Sequence, residues 1–223
     1  MSPAAARTFE VRHVQLARAL FAAIAAIMIT FSADHSAAVG LAVFSGWAIA
    51  TALVVGAGAL LAYPRERRGG MLLLAALMLL AGMIGGLPPL RSTTLFFALV
   101  IVWALLAGAA ELVIGILARR RGGVGSDDAR DAILIGAVTI ALGIGLLLVN
   151  PAYSLEYFIK DADATFVLTG ITIGVGLFGG YAAIVAVFLG IAGFSPRRVV
   201  AAADAPTVDA PAADSPRPAG EPA

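Results

Sequence analysis

The sequence predicts an all-α fold: a polytopic membrane bundle of six transmembrane helices built from three repeated helical hairpins. Three observations carry this. The chain of 223 residues is 61% hydrophobic and only 13% charged, too apolar for a soluble domain of this length. Its apolar residues gather in six runs, near the roughly 20 residues that cross a hydrocarbon core at about 1.5 Å per residue. Its arginines gather between the runs, at alternate turns.

Residues 1–13 form a polar lead with Arg7, Arg12 and His13. The first run covers 14–31 and is entered through Arg18. A cleaved signal peptide competes for this run, because basic residues precede it and small ones follow. Its match to a later run favours a retained span. A short turn at 32–36 leads to the second run, 39–63. The basic turn Pro64–Gly70 (PRERRGG) follows, then the third run, 71–87, stopped by Pro88 and Pro89. The fourth run, 95–118, has a polar start at Ser92, a Trp at 103, one charge at Glu111 and an arginine stop. In the next turn Ser126, Asp127 and Asp128 can cap the following helix and complement its dipole. The fifth run is 132–149. A loop over 150–164 separates it from the sixth, 166–194, which is long enough to tilt. Residues 199–223 are mostly Ala, Pro and Asp and read as a disordered tail.

Lys and Arg bias sets orientation. With the N-terminus inside, thirteen of the fifteen basic residues fall on inner segments, leaving only Arg91 and Lys160 outside. Both termini are therefore expected in the cytoplasm of a bacterial plasma membrane, with the lipid bilayer as partner. Tyr153, Tyr157 and Phe158 then lie at the outer interface, where aromatic rings favour the headgroup region. A shift of 56 residues overlays Ser36 on Ser92 and Trp47 on Trp103, and a further step of 62 takes Pro89 to Pro151 and Ser92 to Ser154. The chain thus reads as hairpins at 12–68, 70–121 and 131–198.

The repeat exposes two exceptions: Glu111 aligns with Val55, and Arg18 with Leu74. A charge at a helix centre costs about 2.5–3.5 kcal/mol on insertion scales. Glu111 lies roughly 12 Å along its helix from Arg119, so both charges belong to the inner half of the membrane. They form a candidate intramembrane ion pair, or Glu111 is a protonated, hydrogen-bonded proton site. The alternative has Arg18 snorkelling to the headgroups and Glu111 bonding a nearby Ser or Thr. In the outer turns Asp34, His35, Glu156, Asp161 and Asp163 are candidate pH-responsive groups, against a reading as solvated loop residues.

Spacings such as Gly82-xxx-Gly86, Ala104-xxx-Gly108, Gly170-xxx-Gly174 and Gly176-xxx-Gly180 let helix backbones approach closely. They fit packing inside one bundle and leave homo-oligomer formation open. Ser45, Thr51, Thr139, Thr169 and Thr172 are the main intramembrane polar groups, each able to satisfy itself on its own helix. There is no Cys, no HExxH, no Gly-x-Ser-x-Gly elbow and no phosphate-cradling Gly-rich loop. His13 and His35 fall on opposite sides of the membrane. No catalytic group, cofactor or metal is expected, and no nucleic-acid footprint is present.

Pro89 to Ser92 followed by Trp103 and Gly108, repeated as Pro151 to Ser154 without the Trp, resembles the HdeD-type acid-resistance membrane proteins of bacteria. The first hairpin has Ser36 and Trp47 but lacks the Pro. The resemblance covers about residues 12–198, and the Ala-, Gly- and Arg-rich composition is similar to that of actinobacterial members. It implies a plasma-membrane protein linked to acid or envelope stress, with no defined chemical activity. Similar sequences sometimes carry the label acyl-CoA synthetase, for which this chain has no adenylation motif. The leading expectation is a structural or stress-protective protein. The alternative is a small proton-coupled carrier or channel subunit using Glu111, which would need that residue in a water-accessible cavity.

Overall fold

Unbroken apolar runs bounded by Ser caps, prolines and arginines give six long helices. The computed structural model describes residues 10–63, 65–120, 126–160 and 163–195. The polar lead before Glu10, Asp161 and the Pro- and Ala-rich tail lie outside these residues. The helices are α1 (Val11–Phe31), α2 (Ala37–Leu61), α3 (Arg65–Gly86), α4 (Thr93–Arg120), α5 (Ser126–Leu148) and α6 (Gly170–Phe194). All six contain a stretch long and apolar enough to cross a membrane. The protein is a multi-pass, six-helix membrane bundle.

Local chemistry sets the helix ends. Ser36 caps α2 by accepting from the Val39 amide, and Asp34 in turn accepts from the Ser36 amide at 2.8 Å. Ser92 accepts from the Leu95 amide at 3.1 Å, and Thr169 caps α6 by accepting from the Thr172 amide. These hydroxyls satisfy amides that have no partner within the helix. Two arginines serve carbonyls at helix C-termini. Arg68 donates to Leu60 and Tyr63 at the end of α2, and Arg91 to Gly85 and Gly86 at the end of α3. Pro88–Leu90 forms a single 3-10 turn between α3 and α4.

The helices alternate in direction, so one end of the bundle holds the arginine-bearing α2–α3 and α4–α5 turns. Around the bundle α2 lies closest along α3, α4 along α5 and α1 along α6; α1–α2, α3–α4 and α5–α6 pack more loosely. The closest pairings are therefore between the expected hairpins, and the first helix closes against the last. Glycines make the close approaches. A Cβ on Gly136 would meet the Leu112 amide nitrogen at 2.6 Å, and one on Gly82 would meet Ile49 Cγ1 at 2.7 Å. Gly174 faces Phe96 and Phe97 of α4, while Gly179 faces Ile29 of α1. Gly176 and Gly180 instead line an open groove between α5 and α6, where a Cβ would meet nothing within 4 Å. The Gly176-xxx-Gly180 spacing thus does not pack inside one bundle.

The apolar run expected to begin the sixth span at Phe166 is divided. Residues 154–159 and 164–169 form an antiparallel hairpin, β1 (Ser154–Ile159) and β2 (Ala164–Thr169), in the register Tyr157↔Phe166 and Glu156↔Val167. Ser154, matched to the helix-starting Ser92 by the 62-residue step, begins a strand instead, and α6 is capped by Thr169. Aromatic and β-branched residues favour the extended state here, and stacked Tyr157 and Phe166 rings at 6.0 Å support it. The loop expected over 150–164 is in large part this hairpin.

Candidate functional site

The site is a buried polar cluster near the arginine-bearing end. It is built on α1, α4, α5 and α6. On α1 the inward face is Val14, Gln15, Ala19, Ala22, Ala25, Ala26 and Ile29, at the 3–4 spacing of one helix side. Its alanines let α6 approach, and Arg18 leaves the edge of that face toward α4. Arg18 Nη2 lies 2.8 Å from Glu111 Oε1, with the two side chains 11% and 6% exposed. The structure thus brings together the two charges the sequence singled out. One turn earlier on α1, Gln15 Nε2 donates to Asp131 Oδ2 of α5 at 2.9 Å. Gln15 Oε1 is buried with no hydrogen-bond partner.

A cavity of about 30 Å³ separates these groups, lined among others by Gln15, Arg18, Tyr63, Met71, Glu111 and Asp131. Tyr181 of α6 closes the polar cluster from the side. Thr139 donates to the Ile135 carbonyl at 2.7 Å, so the Tyr181 hydroxyl, 2.9 Å away, donates to Thr139 Oγ1. Tyr63 and Tyr181 lie within Coulombic range of Arg18. Beyond Tyr181, toward the bundle centre, Phe44, Trp47, Trp103 and Phe178 form an aromatic plug. Trp47 and Trp103 meet edge to face at 5.2 Å and 89°, and Phe178 meets Trp47 at 5.6 Å. Such T-shaped contacts align ring edges with ring faces. The plug separates the charge pair from the hairpin end.

Other expected groups fall elsewhere. Asp34 is spent on Ser36, whose hydroxyl lies 3.0 Å from Asp34 Oδ2. His35 is half-buried beside it. Glu156 and Asp163 are exposed on the hairpin, with Asp163 in left-handed backbone at φ 45°. Among the described residues no hydrogen bond or ion pair joins Asp34 or His35 to Glu156 or Asp163, so these groups do not form one cluster. No group of three or more His, Cys, Asp or Glu among the described residues could hold a metal ion.

Two intramembrane hydroxyls depart from the expectation that each bonds its own helix. Ser45 donates across to the Gly82 carbonyl of α3 at 2.7 Å, because Gly82 brings the two backbones within reach. Thr51 Oγ1 is buried without a partner. Gln15, Asp131 and Tyr181 were not among the residues the sequence singled out. Gln15 had a readable signal, since it sits three residues before Arg18 and so shares its side of α1. Asp131 and Tyr181 join through tertiary packing alone.

Comparison with known proteins adds no relative: no family model matches the chain, and neither a curated protein nor a solved structure is significantly similar to it.

Proposed function

We propose that this chain is a structural, stress-protective plasma-membrane protein of the HdeD-like kind, without catalysis, and with both termini in the cytoplasm. The observation that carries the reading is the enclosure of Glu111. A proton-coupled carboxylate needs a continuous water-filled route to both sides of the membrane, whereas Glu111 is 4% exposed, paired with Arg18, walled by helices in glycine contact and beside a cavity of only about 30 Å³. Past the pair stands the aromatic plug. Such a pair ties α1 to α4 across the bundle and fixes their register, the best-attested use of buried charge.

The arginine clusters at the α2–α3 and α4–α5 turns support the cytoplasmic assignment. The regular alternation of closer and looser neighbours supports three repeated two-helix units, with the β-hairpin as an insertion in the third. The link to acid or envelope stress rests on the motif resemblance.

Proton flux into proteoliposomes across a pH gradient tests the reading. Wild type and Glu111→Gln, both folded and inserted, are expected to leak no faster than empty liposomes. Flux present in wild type and lost in Glu111→Gln would replace this reading with that of a proton-coupled carrier. In cells, loss of the gene is expected to lower survival of acid challenge, and Glu111→Gln to restore it.

A further inference from the structure

The cavity beside the ion pair presents an unmet hydrogen-bond acceptor next to a charged donor. Gln15 is 5% exposed, its Nε2 is fixed by Asp131, and that bond leaves Oε1 aimed away from Asp131 with no partner. Leaving a buried acceptor unmet forfeits the hydrogen bond it would make in water. Arg18 lines the same cavity. A guanidinium has five N–H donors, and the contact to Glu111 engages one nitrogen. The Glu111 carboxylate adds acceptor capacity.

A ligand here must donate to Gln15 Oε1 and sit beside both charges of the pair. A simple anion cannot donate and would face Glu111; a metal cation cannot donate and would face Arg18. Water does both. It needs about 10–15 Å³ of such space and two to four polar partners, so a cavity of about 30 Å³ holds one or two molecules. We infer that this cavity is a water site in which Gln15 Oε1 holds one or two ordered water molecules against the Arg18–Glu111 pair. The water supplies hydrogen bonds that the helices do not and lowers the desolvation cost of burying the pair. Gln15 is then a positioning residue for that water. The inference goes beyond the protective role and does not depend on it.

Radiolytic hydroxyl-radical footprinting of the full chain in nanodiscs reads this directly, because radicals form at bound water and oxidise adjacent side chains. Two methionines of α3 provide the comparison. Met71 lines the cavity and is 6% exposed; Met78 is 3% exposed and lies outside it. Met71 is expected to be oxidised at least about fivefold faster than Met78, and Gln15→Leu to bring it close to the Met78 rate. Equal rates in wild type mean a dry cavity and overturn the inference without any variant having to fold. Fast Met71 oxidation that persists in a folded Gln15→Leu protein shows water not held by Gln15, and overturns it too. Proton flux in wild-type proteoliposomes would instead remove the structural reading and leave the water site standing.

Discussion

At the residue scale, the Arg18–Glu111 pair decides the most. Burying two charges costs several kcal/mol per ion, which mutual attraction and added hydrogen bonds offset. Removing one partner leaves the other charge stranded. Arg18→Met or Glu111→Leu alone is therefore expected to cost about 3–5 kcal/mol, whereas Arg18→Met with Glu111→Leu recovers most of it. Reversible unfolding in mixed micelles, run as a double-mutant cycle, checks this; additive losses would show that the pair is not coupled. Glu111→Gln is milder, because an amide oxygen still accepts from Arg18. Both charges were legible in the sequence because a lone ionisable residue in an apolar run is conspicuous. Their mutual contact was one of several readings, since nothing in the linear chain orders α1 beside α4. The place of Gln15 on the Arg18 side of α1 was readable, but its enclosure was not. A single amide near a helix end is cheap enough to pass as interfacial, and only its bond to Asp131 shows that it is enclosed.

At the element scale, glycines sort into two kinds that look alike in sequence. Gly136 sits where a Cβ would strike the Leu112 amide nitrogen at 2.6 Å and the Gly108 carbonyl at 2.8 Å, backbone atoms that cannot step aside. Gly180 meets nothing within 4 Å. Gly136→Ala is expected to destabilise by about 1–3 kcal/mol as α4 and α5 are pushed apart. Gly180→Ala is expected to be neutral or to stabilise by up to about 1 kcal/mol through helix propensity. Thermal unfolding in detergent separates the two, and equal shifts would count against the packing described. The six helices themselves were legible, because length and apolarity state the span without reference to partners. The β-hairpin was not. Its first strand falls where Glu156, Lys160, Asp161 and Asp163 make the chain read as a loop, its second is apolar enough from Phe166 onward to extend the helical run, and the repeat drew Ser154 toward the role of Ser92. The aromatic and β-branched content around the Lys160–Asp163 turn was the available signal.

At the scale of the whole molecule, the ring of neighbours closes between the two ends of the chain. The alanine face of α1 meets α6, with Gly179 on Ile29 and Gly193 on Leu16. No feature of the sequence announces this closure; the repeat suggested hairpin partners, and α1–α2 is the looser contact. The closure makes α6 a condition of stability for α1. A chain ended after α5 is expected to accumulate several-fold less than the full protein, and supplying the hairpin with α6 as a separate segment is expected to restore it. Quantitative blotting of membranes checks both, and an undiminished truncated chain would show that α1 needs no α6.

That closure also has a meaning in time. Of the six helices α1 is made first, and its principal neighbour is made last. At ordinary synthesis rates of about 5–20 residues per second, the interval is on the order of ten seconds. During that wait α1 sits in lipid with Arg18 unshielded until Glu111 arrives, and with its alanine face open until Gly179 and Gly193 arrive. Until α6 is made, the ring of helices therefore stays open on the side where α1 has its principal neighbour.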